Sequence, residues 1–376
     1  MRNMTQKKIF IQAAEQISIQ QPLSQQWMEE PISYDHQMVK ALNPPFRDYL
    51  AANEARRMGG LLKRALVTSL KVLSETGIEH PDAIITGTSI GSLDCTEKFL
   101  ESMVENSEET LSPTHFMQST HNTVGSTLGI YTKTHAYNTT YSHGAMSFDL
   151  AVLDAWMQMQ LGKITTALVG GHDEMIEPHF TLLQKAGHVG QPGMVPCGEV
   201  AMSMMLTTQP SPNALCELAG IAFSSVFPAV SRGNGRKDAS SQASSDCLCP
   251  FGSKRPEVER FRPFGSMRPE VERGAGGSTA VMTGINGNPA NDLPYHTLIA
   301  DLFPDSPRLH YKHLFGENYT SSALGLYAAA HCLKQNHLPP FIYDSDTPCL
   351  VQELNSILLV NQMENQQFSF ILLKKL

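Results

Sequence analysis

Residues 136–174 read AYNTTYSHGAMSFDLAVLDAWMQMQLGKITTALVGGHDE. The run 137–141 predicts a strand, and SHGAM a tight turn. Leu150, Leu153, Ala155 and Met157 recur at helical spacing and predict a helix over 147–162 that stops at Gly162. The continuous apolar run 164–169 predicts a second strand. Many enzymes hold a nucleophile in such a strand–turn–helix unit, because the exposed N–H groups at the helix start favour negative charge. Here the turn 141–146, YSHGAM, holds no cysteine.

The neighbouring sequence extends the pattern. Residues 7–19 open as a strand, 56–76 as a helix stopped by Gly77, and 82–91, DAIITGTSIG, as a buried strand running into a Gly-bearing loop. Helices are expected over 95–104 and 121–131, with 113–119 as a connector, and 198–207, GEVAMSMMLT, reads as another buried strand. The alternation then recurs. Strands are expected over 214–226, 280–284 and 308–311, helices over 293–303 and 321–336, and a closing strand pair over 356–360 and 367–373. Strand–helix alternation that occurs twice implies an α/β architecture with largely buried sheets, built from a duplicated unit. The expected division is 1–213 and 214–376.

One segment interrupts the order. Residues 228–277 are rich in Ser, Gly, Arg and Pro and repeat PFGSKRPEVER as PFGSMRPEVER. Such a composition buries too little apolar surface to offset ordering entropy, so a low-complexity insert is expected there.

Composition excludes several classes. The 376 residues carry a formal charge of −8, with no basic stripe, which argues against nucleic acid as a partner. No apolar run reaches the length of a membrane helix, and the N-terminus lacks the apolar core of a secretory signal, so a cytoplasmic location is expected. Seven cysteines form no disulfide framework, and Cys247 and Cys249 have no second pair at zinc spacing. Reduced, mostly buried thiols and no metal or cofactor are expected. His172, Asp173, Glu174 and His179 form a small polar cluster, read as a satisfied rim, and Met157, Met159, Met202, Met204 and Met205 as core packing.

Four stretches together resemble the β-ketoacyl-ACP synthases of the thiolase-like superfamily, and most closely their chain-length-factor group. They are DAIITGTSIGSL (82–93), LGKITTALVGGHDE (161–174), GEVAMSMMLT (198–207) and HYKHLFGENYTSSALGLYAAAHCLKQNHLPP (310–340). The resemblance covers all but the insert and the extreme N-terminus. It implies a thiolase-like α/β fold, two similar halves in five layers (αβαβα). It also implies acyltransferase chemistry in fatty-acid, polyene or polyketide synthesis, in which a cysteine carries the acyl group. Two histidines help decarboxylate the malonyl unit, a lysine supports the second, and a Gly-rich loop gates the pocket.

Carried over residue by residue, the nucleophile position falls on Ala145, the first histidine on Asn286, the second on Glu317 and the lysine on Lys312. The gate is replaced by LLVNQMENQQFSF (358–370), which has no glycine. Nucleophile, both histidines and gate are thus all changed. The resemblance then implies a homologue without condensing activity of its own, acting as a chain-length-factor-like partner. Its partners would be acyl carrier protein or an acyl thioester. It would form a homodimer, or a heterodimer with an active ketosynthase, through residues 135–141. The alternative is an active acyltransferase or decarboxylase using Ser142 or His143, just before the elbow. Adjacent side chains make a poor nucleophile–base couple, so a turn hydroxyl and a structural histidine are the plainer readings.

Overall fold

The computed structural model of the chain describes residues 6–106, 111, 113–209, 211–224, 278–345, 347 and 353–376. The insert expected at 228–277, with Cys247 and Cys249, lies outside them. In chain order the first elements are β1 (Phe10–Ile17), α1 (Ala52–Ala55), α2 (Gly60–Thr76), β2 (Ala83–Gly87), α3 (Leu93–Glu105), α4 (Pro113–Ser119), α5 (Thr123–Tyr131) and β3 (Tyr137–Tyr141). Then come α6 (Ser147–Gln160), β4 (Thr166–Asp173), α7 (Glu177–Lys185), β5 (Val200–Thr207) and β6 (Cys216–Ser224). The rest are β7 (Ser278–Thr283), α8 (Pro289–Leu302), β8 (Arg308–His310), α9 (Lys312–Phe315), α10 (Ser322–Gln335), β9 (Leu354–Met363) and β10 (Gln367–Lys374).

The strands run in the order β3-β2-β4-β5-β1-β6-β10-β9-β7-β8. This is one topology used twice. In the first run β2 pairs β3 and β4 in parallel, and β5 pairs β4 and β1 antiparallel. In the second, β7 pairs β8 and β9 in parallel, and β10 pairs β9 and β6 antiparallel. Among the described strands the two runs meet between β1 and β6, in the register Phe10↔Glu217 and Ile11↔Cys216. The fold is the five-layer αβαβα arrangement of two similar halves.

The pleat decides which layer each side chain enters, because successive residues of a strand face opposite ways. In β5, Val200, Met202, Met204 and Leu206 join the central core, while Ala201 and Met205 face α2. In β10, Ile371 and Leu373 point inward, while Phe368, Phe370 and Leu372 pack under Tyr295, Leu298 and Ile299 of α8. Strands covered on both faces are buried along their length, and β2 and β5 are apolar but for Thr86, Ser203 and Thr207, whose hydroxyls are hydrogen-bonded inside the fold. Helices α6 and α10 each follow the edge strand of their half and fill the layer between the sheets. In α10 residues 322–333 are all buried, so its Ala- and Leu-rich sequence has no polar face.

Several local expectations need correction. Residues 113–119 form helix α4, not a connector, and α7 was not expected. Both are short and have weak apolar periodicity, and their ends are set by Pro113 and by Pro178 in the first turn of α7. Gly59 and Gly60 break the helix expected over 56–76, so α2 starts at Gly60. Helix α8 begins at Pro289, earlier than expected, because the Asn288 side chain caps it by accepting from Ala290 N. Met159, Met202, Met204 and Met205 are fully buried, but Met157 is 43% exposed on the outer face of α6. Cys95, Cys197, Cys216 and Cys332 are free and buried.

Strand β1 carries one charged group inside the fold. Glu15 is 9% exposed; burial, and next the carboxylate of Glu75, push its pKa from 4.5 to about 8, with Lys71 opposing. The native state therefore keeps a proton that the unfolded chain releases near 4.5. Its stability falls as pH rises through that window. Glu15→Gln mimics the protonated acid. Chemical denaturation at pH 5 and pH 8 is expected to show the wild type losing on the order of 2 kcal/mol more than Glu15→Gln between the two. Equal losses would remove Glu15 from the account.

Candidate functional site

Between β3 and α6 the chain turns sharply. Gly144 takes φ +51, and a Cβ there would lie 2.6 Å from Met363 Sδ. Met146 N donates to His143 O at 3.0 Å, His143 N to Ser147 Oγ at 2.8 Å, and Ser147 Oγ to Gly144 O at 2.7 Å. Asn361 of β9 holds the turn from the far side, its Nδ2 donating to Ala145 O at 2.9 Å. The same amide reaches Asp149 Oδ2 at 3.1 Å. Asp149 is fully buried and also accepts from Ser322 Oγ and Ser369 Oγ, each at 2.6 Å. Burial pushes its carboxyl pKa up, and these hydrogen bonds pull it back. One buried carboxylate thus ties the central helices and the second sheet to the elbow.

The turn opens onto a cavity of about 470 Å³, within the ordinary range for small-molecule sites. Ala145, Asn286, Lys312 and Glu317 all line it, although they come from three separate segments: the β3–α6 turn, the loop after β7, and α9 with the loop that follows it. The last three bind one another. Lys312 Nζ meets Glu317 Oε1 at 2.9 Å and Oε2 at 2.8 Å, and Asn286 Nδ2 donates to Glu317 Oε2 at 2.6 Å. Asn286 Oδ1 is taken by Asn288 N at 2.9 Å. Their backbones are equally constrained. Asp292 accepts from Asn286 N and Gly287 N at 3.0 and 2.8 Å, and a strap at residues 195–198 bonds both loops. Val195 N donates to Asn286 O, Glu317 N to Pro196 O, and Gly198 N to Glu317 O.

Ser142 and His143 are exposed and do not line the cavity. Ser142 Oγ donates to Ser89 O at 3.1 Å, and the His143 ring meets Gln367 Oε1 at 2.9 Å, so the two side chains take different partners. The cluster expected at 172–179 also disperses: His172, Asp173 and Glu174 are buried where a rim was expected, and His179 is half-buried. Asp173 accepts from Ser89 N, Ile90 N and Thr88 Oγ1. Glu174 accepts from Asp94 N and faces Arg64 at 3.8 Å. His172 is buried with both ring nitrogens unpartnered, and burial lowers its pKa to about 3. His179 pairs with Tyr319 OH at 3.2 Å. Among the described residues no group of three or more His, Cys, Asp or Glu could hold a metal.

Three lining residues had no signal in the sequence. Cys197 reaches the cavity only because the strap passes between the two loops; burial, and next the Glu317 charge, push its pKa to about 12, so it is no thiolate. Tyr319 follows the Glu317 loop. Met363 stands at the β9–β10 turn, where Glu364 and Asn365 both take positive φ, 52 and 58. No helix is long and apolar enough to cross a membrane among the described residues.

The family model for the β-ketoacyl synthase N-terminal domain matches residues 24–252. No curated protein matches the chain. Solved structures match it over nearly its whole length at low identity. The ishigamide ketosynthase/chain length factor shares 14% identity, covering 99% of this chain and 100% of that one, with a TM-score of 0.73. A β-ketoacyl synthase from Burkholderia phymatum shares 13%, covering 98% and 100%, with a TM-score of 0.69. The complex of the ketosynthase ApeO with its chain length factor ApeC, from Xenorhabdus doucetiae, shares 16%, covering 98% of each chain, with a TM-score of 0.67. At these identities the likeness carries the fold.

Proposed function

The chain belongs to the β-ketoacyl synthase family, and from that premise we propose that it is a member without condensing activity that pairs with an active ketosynthase and shapes the acyl cavity. In that role it sets chain length in polyketide-, polyene- or fatty-acid-type synthesis. The observation that carries the reading is the cavity wall itself. Where an acyl group must be captured, the helix start offers the methyl of Ala145. Acyl transfer through a covalent intermediate needs a nucleophile, and an alkyl group has none. The polar groups opposite are spent on one another, and a carboxylate, Glu317, stands where a forming enolate would need donors.

The surrounding fold is intact, which is what a structural partner requires. Loss of the nucleophile leaves every element of both sheets in place. Strand β3 is one of the two edge strands of the ten-stranded order, with Tyr137 40% exposed and one side unpaired among the described strands. It supplies the surface for a homodimer or for a heterodimer with the ketosynthase. A type II polyketide ketosynthase bound to its acyl carrier protein is also among the similar structures, which suits a carrier-borne acyl chain as ligand of the assembly.

The test is malonyl-ACP condensation by the chain alone, by a ketosynthase encoded beside it, and by both together. Product is expected at background from the chain alone and restored or lengthened with both. Ala145→Cys is expected to give a thiol that alkylating reagents modify, yet no condensation above background, because Asn286 and Glu317 stay as they are. Robust condensation by the unmodified chain, or a covalent adduct on Ser142 by intact-mass analysis after exposure to an acyl thioester, would sink the reading.

A further inference from the structure

We infer that the cavity admits uncharged acyl chains and excludes those bearing a carboxylate, and that Glu317 sets this selection. The inference takes the acyl nature of the ligand from the proposed function; the charge selection comes from the cavity alone. Among the described residues, the charged groups lining it are Lys312, Glu317 and Glu364, with His188 exposed at the edge. Lys312 is the one lining lysine or arginine, and its ammonium sits 2.8 and 2.9 Å from the two oxygens of Glu317. Both are largely buried, their side chains 10% and 16% exposed.

A carboxylate arriving here finds no free cation. Lys312 is neutralised and Glu364 adds a negative charge at the β9–β10 turn. The amide of Asn286, which could otherwise donate to an anion, gives its Nδ2 to Glu317. The N–H groups of Asn286 and Gly287 face Asp292, a further carboxylate behind the same loop. These three donors of the loop are each directed at an acid, and Asn288 N is turned to Asn286 Oδ1. An anionic ligand must therefore be desolvated against net negative charge, and among the described lining residues the one ammonium is already paired with Glu317. An uncharged chain incurs no such cost and gains apolar contact from Met175, Val189, Leu183 and Met363.

Removing one charge converts the site. Glu317→Gln keeps the size of the side chain and an oxygen to accept from Asn286, but it leaves the Lys312 ammonium without its counter-ion. That ammonium then becomes a carboxylate receptor, and the preference reverses.

The experiment titrates the full chain with octanamide and with octanoate, two ligands of one length that differ in charge, by calorimetry at low salt. Wild type is expected to bind octanamide at least ~10-fold more tightly than octanoate. Glu317→Gln is expected to raise octanoate affinity by ~10-fold or more while octanamide changes less than about twofold. Glu364→Gln, at a surface turn, gives a second reading if the first variant folds poorly; octanoate affinity should rise there by about two- to threefold. Octanoate binding as well as octanamide to wild type, no binding of either ligand, or an unchanged ratio in Glu317→Gln, or in Glu364→Gln where the first variant folds poorly, would overturn the inference. The condensation assay reads partner pairing and not ligand charge, so either result stands or falls without the other.

Discussion

Gly87→Ala is expected to destabilise the protein by about 3 kcal/mol or more, at or above the upper end of ordinary overpacking. Gly87 ends β2, directly under the first turn of α6. A Cβ built there lies 2.5 Å from Phe148 N and from Ser147 O, and 2.6 Å from Phe148 Cα. All three atoms are backbone at the helix start, so no side chain can swing aside. The helix must shift away from the strand, carrying the Ala145 elbow with it. The comparison is Gly77→Ala. Gly77 has φ +67 and nothing within 4 Å of the added methyl, so its cost is conformational alone, about 1 kcal/mol. Thermal melts should place Gly87→Ala roughly 4 °C or more below wild type. A milder effect at Gly87 than at Gly77 would show that the strand–helix contact is not rigid.

Asp149→Ala is expected to cost about 3–5 kcal/mol, because it strands three buried donors at once. Ser322 Oγ, Ser369 Oγ and Asn361 Nδ2 all converge on this carboxylate from α10, β10 and β9. The site is closed to bulk solvent: Asp149, Ser322 and Ser369 are each 0% exposed. Asp149→Asn keeps the shape and one acceptor, and the two hydroxyls can rotate to accept, so its cost should be about half as large or less. Chemical denaturation of both variants decides the matter. Alanine as mild as asparagine would mean that the site collapses around the loss. Because Asn361 also holds Ala145 O, the alanine variant should loosen the cavity wall before it unfolds the chain, seen as faster hydrogen exchange at residues 145–147.

Much of the architecture was legible along the chain because burial leaves a mark on composition. Strands covered on both faces read as predominantly apolar runs without polar alternation, as in AIITG of β2 and VAMSMMLT of β5. The sharp stop after Thr76 was legible from Gly77, which the structure places at φ +67. Segments that pack on one side near the surface left weaker marks. In α4 and α7 only one residue or none is buried, so PTHFMQS and EPHFTLLQK carry little periodicity. Met157 was assigned to the core because methionine composition does not say which side of a helix faces out.

Residue identity is enough to say what chemistry is available: a methyl, an amide and a carboxylate at positions 145, 286 and 317. It also determined the alternation that makes two sheets with helices around them. That these groups share one cavity, with Lys312 and Asn286 both closing on Glu317, emerges from the folded arrangement. It also decided that Ser142 and His143 turn to Ser89 and Gln367, outside that cavity. Separation along the chain accounts for this. Asn361 meets Ala145 across 216 residues, a contact set by strand order and register through the whole fold, which local propensity does not encode.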